Sequence, residues 1–162
     1  MIDETDAQIL AILQSDARTS NAAIAREVGL TASAIHERIK KLQARGVIRG
    51  FEARLCPREV GIGLLAFVEV VTDEVAGTTS AGAQLAAIPG VQEVHHIAGE
   101  DCYLIKVRVA SAEALGDLLR EKVGAIGAVR RTRSTIVMST LHETACLPLE
   151  QAIECPGGEE GR

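Results

Sequence analysis

The stretch Ser20–Phe51 constrains the fold of this chain more than any other part of the sequence. Within it, Ile24, Ala25 and Val28 recur at helical spacing and predict a short helix with one apolar edge. Gly29 then supplies the backbone freedom that a sharp turn between two helices requires. A second amphipathic segment follows directly, so the stretch predicts a helix-turn-helix.

The second helix of this motif is predicted to span Thr31–Arg45. The Thr31 hydroxyl can cap it by accepting a hydrogen bond from a backbone amide that has no partner within the helix. Ile35, Ile39 and Leu42 form its apolar edge, and small, polar or basic residues point the other way.

A helix held by one apolar edge, with small and basic groups outside, is the form that enters the major groove of DNA. Its outer face predicts contacts to base edges, and its basic residues predict contacts to phosphates. Arg38 lies beside the apolar edge, where a structural ion pair is an alternative to a phosphate contact. The predicted DNA-binding residues are Ser20, Thr31, Ser33, His36, Glu37, Arg38, Lys40, Lys41 and Arg45.

Periodicity alone leaves a simpler alternative, because amphipathic helices joined at a glycine are common and exposed basic residues often serve only solvation. The distribution of charge favours DNA. The segment Arg26–Arg54 holds seven basic against three acidic residues, in a chain whose formal net charge is −5. Positive charge gathered around one helix of an acidic protein is typical of a site for double-stranded DNA.

Composition bounds the class of protein. A chain of 162 residues holds one large or two small domains. Its hydrophobic content is 47% but aromatic residues contribute only 2%, so Ala, Val, Ile and Leu must build the cores. No apolar run approaches the roughly 20 residues of a membrane span, and the N-terminus is acidic, unlike a signal peptide. We therefore expect a soluble, cytoplasmic protein with no membrane partner.

The cysteines and histidines give no metal-binding signature. No Cys-x-x-Cys or Cys/His ligand spacing is present, so Cys56, Cys102, Cys146 and Cys155 are predicted to be ordinary thiols. The pair His95–His96 is adjacent, and neighbours in a strand point to opposite faces. A surface or packing role for these histidines is favoured over a metal role, and we expect no metal and no cofactor.

The chain is predicted to divide at a hinge. Residues 1–50 form the helix-turn-helix domain, and residues 51–63, with Pro57, Gly61 and Gly63, form the linker. Residues 64–150 form a second domain. Residues 151–162 are Gly-rich and charged, and we expect them to be disordered.

The first domain has two further predicted features. Its opening helix lies within Ile2–Ser15, and either Thr5 or Asp3 can cap it. After the helix-turn-helix, Gly46 ends the last helix, and Val47–Phe51 is predicted to be a short strand or wing.

The second domain is predicted to be an α+β ferredoxin-like sandwich in the order βαββαβ, with four antiparallel strands and two helices on one face. Leu64–Val71 is a continuous apolar strand, expected to be covered on both faces, and Ser111 caps the second helix. The other sheet face is left bare, and its aliphatic residues should meet a second copy of the chain. The remaining predicted elements are a helix over Thr78–Ile88 and strands over Val91–Ala98, Cys102–Val109 and Val129–Leu141.

Both domains carry a specific family resemblance. The segment from IDETDAQIL to GVIRGF resembles the helix-turn-helix of the Lrp/AsnC family, the feast/famine transcriptional regulators. LAAIPGVQEVHHIAGEDCYLIKV and VRRTRSTIVMSTL resemble the C-terminal effector and oligomerisation domain of that family. The match runs from about Ile2 to about Pro148, with the motifs in register in both domains.

The resemblance implies a homodimer built through back-to-back sheets, often assembled into octamers or larger rings. It also implies a small effector, typically an amino acid, bound between dimers beside the hairpin before the third strand. The family's hairpin commonly reads G-x-x-D-Y. Gly99 and Tyr103 match it, whereas Cys102 stands where Asp is usual and removes a carboxylate that could meet an ammonium group.

The residues of this hairpin suit an amino-acid ligand. Backbone amides around Gly99 can hold a carboxylate, and a nearby acid can hold an ammonium group. Hydroxyls on one face of the last strand could complete the polar set, and a merely solvated turn is the alternative. The predicted effector-binding residues are Gly99, Glu100, Asp101, Cys102, Tyr103, Thr132 and Ser134.

The sequence is compatible with three functions. The leading hypothesis is a sequence-specific transcriptional regulator that responds to a small effector. A nucleoid-structuring protein that wraps DNA with little specificity overlaps with it. An enzyme on a ferredoxin-like domain is the third, but the sequence offers no nucleophile–base pair, metal-ligand cluster or phosphate-binding glycine loop, and therefore no catalytic residues.

Overall fold

The chain forms two compact units. The computed structural model describes residues 2–75, 78–98 and 102–149. The first unit comprises residues up to Ala53 together with residues 142–149, and the second runs from Arg54 to Leu141. The tail 151–162, which we expected to be disordered, lies outside the described residues.

Three helices build the first unit, as predicted: α1 (Glu4–Ser15), α2 (Asn21–Val28) and α3 (Ala32–Ala44). Each begins at a capping side chain that accepts a hydrogen bond from the backbone amide three residues later. Asp3, rather than Thr5, caps α1, with 2.7 Å between its Oδ1 and the Asp6 amide. Ser20 caps α2 and Thr31 caps α3, each at 3.2 Å.

An aliphatic core joins these helices. Ile9 and Leu13 of α1, Ile24 of α2 and Ile35 of α3 are buried together. The turn between α2 and α3 depends on Gly29, whose φ of +78° is one that side chains rarely allow. A Cβ at Gly29 would meet nothing within 4 Å, so the backbone angle and not space requires this glycine.

The predicted strand or wing at Val47–Phe51 is wrong. The amides of Val47 and Ile48 both donate to the Leu42 carbonyl, at 2.9 and 3.2 Å, and so close the C-terminus of α3. Amides used in this way cannot pair with a strand. Ile48 instead packs, half-buried, against the core of the first unit.

One ion-pair cluster, here called the Arg38 clamp, ties the middle of α3 to the start of α1. Arg38 Nη1 lies 2.7 Å from Asp3 Oδ2 and 2.7 Å from Asp6 Oδ1. Asp6 is a buried residue, and its partners satisfy its charge. Of the two roles left open for Arg38, the structure therefore shows the ion pair.

Residues 142–149 return to α1. The side-chain amide of Gln14 accepts from the Leu147 amide at 2.7 Å and donates to the Leu147 carbonyl at 3.1 Å. The sequence-based boundary assigned residues 142–149 to the second domain, whereas these contacts group them with the first unit.

The second unit confirms the ferredoxin-like prediction. Its four strands are antiparallel in the order β2-β3-β1-β4, and the element order is βαββαβ. The elements are β1 (Leu64–Thr72), α4 (Ser80–Ala86), β2 (Val91–Ile97), β3 (Cys102–Val109), α5 (Ala112–Leu118) with a π-helical continuation (Leu119–Val123), and β4 (Val129–Ile136).

The last strand is shorter than predicted, since β4 ends at Ile136 and not at Leu141. Ile136 lies opposite Ala66, and the Val137 amide bonds the Leu65 carbonyl at 2.9 Å. The ladder has then come within two residues of the start of β1 at Leu64, so little of β1 remains to pair with.

The two faces of the sheet differ sharply. Alternate residues of β1 and β3 are buried beneath α4 and α5. The opposite face, here called the open face, carries Phe67, which is 37% exposed. The prediction that β1 is covered on both faces is therefore wrong for the single chain. The residues buried against the helices are Ala66, Val68, Val70, Tyr103, Ile105, Val107 and Val109.

The open face is also more polar than expected. Lys106 of β3 pairs with Glu93 of β2 at 3.0 Å, and Arg133 of β4 pairs with Glu69 of β1 at 2.8 Å. The alternation explains this, because most β-branched residues of both central strands fall on the helix face.

A charge at Val107 should destroy the core of the second unit. Val107 has no exposed surface, so an unpaired carboxylate there should lower the free energy of unfolding by about 4 kcal/mol or more. The chain holds one tyrosine and no tryptophan, so tyrosine fluorescence in urea follows the second unit alone. Phe67→Asp, on the open face, is the matched control: its carboxylate stays in contact with water in the single chain, so any loss of stability should come from oligomer contacts and vary with protein concentration. Equal losses in both variants would contradict this assignment of faces.

Acid should weaken the first unit through Asp3. The bond from Arg38 and the Asp6 amide hold the pKa of Asp3 below its ordinary value of 3.8. Such a carboxyl stabilises the folded state above its ordinary pKa, and this contribution is lost as the pH falls through the lowered pKa. The stability advantage of the parent over Arg38→Gln, measured by thermal loss of helical circular dichroism, should shrink below about pH 4. A constant difference between pH 7 and strong acid would contradict this.

Candidate DNA-binding and effector sites

The outer face of α3 is the first candidate site. Ile35 and Leu42 are buried and fix the rotation of the helix about its axis. The opposite side then presents the residues predicted to contact base edges. Ser33, His36, Glu37 and Lys40 are all exposed there.

One flank of α3 adds a groove with a volume of about 500 Å³. Lys41 and Arg45, predicted to contact phosphates, line it and are exposed. Asp3 and Asp6 of α1 line the other side and bind Arg38. Two carboxylates bind Arg38, whereas Lys41 and Arg45 are exposed beside the outer face of α3.

Ser20 and Thr31, also assigned to the DNA-binding set, serve first as helix caps. Their hydroxyl oxygens accept from the amides of Ala23 and Ala34, and the Thr31 Oγ1 lies 3.1 Å from the Ser33 Oγ. Both residues are exposed. A hydroxyl that accepts from an amide can still donate its own proton outward.

The predicted effector hairpin is described only at its edges. Gly99, Glu100 and Asp101 lie outside the described residues. Cys102 opens β3, with its backbone opposite Val71 of β1 and Ile97 of β2. The strand ends that carry the hairpin are therefore fixed in the sheet.

Tyr103 lies in the core and not on the surface. It is 2% exposed, and its hydroxyl donates to Glu74 Oε2 at 2.9 Å. Its ring lies 5.1 Å from the ring of His96, centroid to centroid. A Cβ at Gly82 would come within 2.7 Å of this ring, so α4 needs a glycine where it crosses the tyrosine.

Thr132 and Ser134 share a sheet face with Tyr103 but are not adjacent to it. They lie opposite Val70 and Val68 of β1, and β1 separates β4 from β3. Two strand spacings amount to about 10 Å. Thr132 is half-buried and Ser134 is exposed.

Glu74 is the residue that sequence reasoning missed. Its Oε1 accepts from the Ser80 hydroxyl at 2.6 Å and from the Ala81 amide at 2.8 Å. These bonds, with a smaller contribution from Tyr103, hold the pKa of Glu74 below its ordinary value. Glu74 thus caps α4 from a distance, since the Thr79 side chain makes no capping bond. No local sequence pattern marks a carboxylate that caps a helix six residues later.

The two adjacent histidines point to opposite faces, as the strand alternation predicted. His96 stacks on Tyr103, and His95 Nε2 lies 3.2 Å from Glu93 Oε2. Within residues 2–75, 78–98 and 102–149, no three metal-ligating side chains converge. None of the described helices combines the length and apolar character needed to cross a bilayer.

Two family profiles match the sequence. The AsnC-type helix-turn-helix domain matches residues 2–43, and the Lrp/AsnC ligand binding domain matches residues 65–146. The chain is similar to the HTH-type transcriptional regulator LrpA of Mycobacterium tuberculosis. The two are 38% identical over 141 residues, which cover 87% of this chain and 93% of LrpA.

Solved structures agree with the whole fold. A transcriptional regulator from Neisseria meningitidis in complex with L-methionine has a TM-score of 0.85 at 27% identity, covering 94% of this chain and 99% of its own. A feast or famine regulatory protein from M. tuberculosis, complexed with L-methionine, has a TM-score of 0.83 at 36% identity, covering 91% and 99%. The chain belongs to the Lrp/AsnC family of transcriptional regulators.

Proposed function

We propose that this regulator reads specific DNA sequences through the outer face of α3 and that an amino acid bound by its second unit modulates this activity. The exposed residues on the outer face of α3 are the main support for this proposal. Four exposed polar side chains lie opposite the two buried anchors of α3, with Lys41 and Arg45 on one flank. We assign base edges to the four and phosphates to Lys41 and Arg45.

The regulator is proposed to work as a homodimer or a larger homo-oligomer. The open face supports this, because Phe67 and Leu104 lie there among two acidic and two basic partners. A face that holds both signs of charge can be complementary to itself about a two-fold axis. The family resemblance implies the same back-to-back arrangement, with assembly to octamers or beyond.

An amino acid is the proposed effector. Two structural relatives are complexed with L-methionine, which makes methionine the first ligand to test. Ile97 and Cys102, the strand ends on either side of the predicted hairpin, are paired in the sheet, and backbone amides between them would suit a carboxylate. We further propose that the protein is not an enzyme, needs no cofactor and acts in the cytoplasm.

Selection of bound sequences from random DNA, followed by footprinting, tests the regulator directly. A sequence-specific regulator should enrich a defined motif and protect discrete sites, whereas a DNA-wrapping protein should spread without enrichment. Substituting Ser33, His36 and Lys40 together should abolish the enrichment. An unchanged motif in that triple variant would contradict the proposed role of the outer face.

Lys41 and Arg38 should respond differently to salt. Lys41→Ala removes one phosphate contact, so it should weaken all DNA sequences alike and flatten the salt dependence of log K by about one unit. Arg38→Gln should leave that slope unchanged, because Arg38 is bound to Asp3 and Asp6. Fluorescence anisotropy across a salt series measures both slopes, with helical circular dichroism as the folding control. A flattened slope for Arg38→Gln would show that Arg38 contacts phosphate after all.

The effector site is tested by calorimetry with methionine, leucine and the other common amino acids. Asp101→Ala and Gly99→Val should weaken the binding of whichever amino acid binds. Cys102→Asp restores the carboxylate usual in the family, so it should strengthen binding or change the preferred amino acid. If neither Asp101→Ala nor Gly99→Val affects a bound amino acid, the site lies elsewhere.

A further inference from the structure

We propose that Glu74 is a positioning residue for the effector site: its carboxylate fixes Tyr103 and the start of α4, and thereby the strand end that carries the effector hairpin. This inference rests on the proposed function, and it adds a residue that neither the hairpin motif nor the family resemblance indicates. Glu74 lies 29 residues before Tyr103 in sequence.

One carboxylate joins three elements. Glu74 follows the end of β1, its Oε1 binds Ser80 and Ala81 at the start of α4, and its Oε2 binds the Tyr103 hydroxyl near the start of β3. An ionised carboxylate has about four acceptor positions, so all three bonds form at once. Removing the side chain would release all three elements together.

The packing of Tyr103 turns this contact into a constraint on the backbone. Its ring is enclosed by His96 and by α4 at Gly82. A tyrosine side chain has two rotatable bonds, so a ring held on its face and at its hydroxyl leaves its own backbone little freedom. Tyr103 directly follows Cys102, the first residue of β3, so its backbone fixes the strand end beside the predicted hairpin.

The hydrogen bond from the Tyr103 hydroxyl to Glu74 also changes the role we assign to Tyr103. The sequence assigned Tyr103 to effector contact. A buried hydroxyl that donates to Glu74 already has its acceptor, so Tyr103 acts on the effector site through its position. This distinction can be measured, because Tyr103 is the single tyrosine of a chain without tryptophan.

The first test needs no effector. In the full-length protein, hydrogen exchange of the segment 99–104 should speed up in Glu74→Ala and in Tyr103→Phe, and the double variant should exchange no faster than either. Exchange at the centre of β3 should not change. Glu74→Gln should be close to the parent, because its amide can still bind Ser80, Ala81 and the phenol. The emission of Tyr103 should rise in Glu74→Ala, since a carboxylate acceptor quenches an excited phenol.

Asp73→Ala is the matched control. Asp73 is the neighbouring carboxylate, and it pairs with Arg130 of β4 rather than with α4 or Tyr103. It should change neither the exchange of segment 99–104 nor the tyrosine emission. An unchanged exchange rate in Glu74→Ala, equal effects from Asp73→Ala, or additive effects of Glu74→Ala and Tyr103→Phe would overturn the proposal.

The second test uses L-methionine as the probe, or whichever amino acid binds best in calorimetry. Its Kd should be about tenfold weaker in Glu74→Ala and Tyr103→Phe and no weaker in the double variant, with Glu74→Gln close to the parent. If Tyr103→Phe alone weakens binding, Tyr103 is a direct ligand and the proposal is overturned. If no amino acid binds the parent while the exchange results hold, the effector proposal fails, and Glu74 still positions the hairpin.

Discussion

The alternation of side chains along β1 and β3 is the constraint on which the second unit depends. Val68, Val70, Ile105 and Val107 all point to the helix face and have no exposed surface. A shift of one residue would place Phe67 and the charged partners of the open face inside instead, which the core cannot accept. The same alternation brings the Tyr103 ring inward, where its hydroxyl requires an acceptor. Glu74 provides that acceptor, so the polar contact follows from the apolar packing.

In the first unit, too, a polar contact between distant residues supplements the apolar packing. Among the described residues, its core contains no aromatic side chain. The aliphatic edges of three short helices specify their relative rotation only weakly. The Arg38 clamp adds a directional contact between α1 and α3, because a guanidinium that bonds two carboxylates accepts few geometries. The orientation of the outer face of α3 therefore depends on a side chain that is bound to two carboxylates of the first unit.

Prediction from the sequence succeeded for the features that depend on residues close together in the chain. The three helices, their caps at Ser20 and Thr31, and the order of strands and helices along the second unit follow from short-range patterns, and the structure confirms them. It did not find the contacts that join distant residues. Arg38 meets Asp3 across 35 positions and Tyr103 meets Glu74 across 29, and no periodicity in one segment can reveal such a pair. The predicted wing was wrong for a related reason. The amides of Val47 and Ile48, which a strand would need, donate to the Leu42 carbonyl instead.

These contacts narrow the chemistry available to the proposed effector. An amino acid needs a donor set for its carboxylate and an acceptor for its ammonium group. The Tyr103 hydroxyl donates its hydrogen bond to Glu74, and Cys102 has a thiol where the family usually has a carboxylate. Within the hairpin, the carboxylates of Glu100 and Asp101 and the backbone carbonyls are the acceptors that could meet the ammonium group. An effector that is bound largely by the backbone of the hairpin depends on how the adjacent strand end is held. In this chain we assign that role to Glu74, a carboxylate outside the family motif.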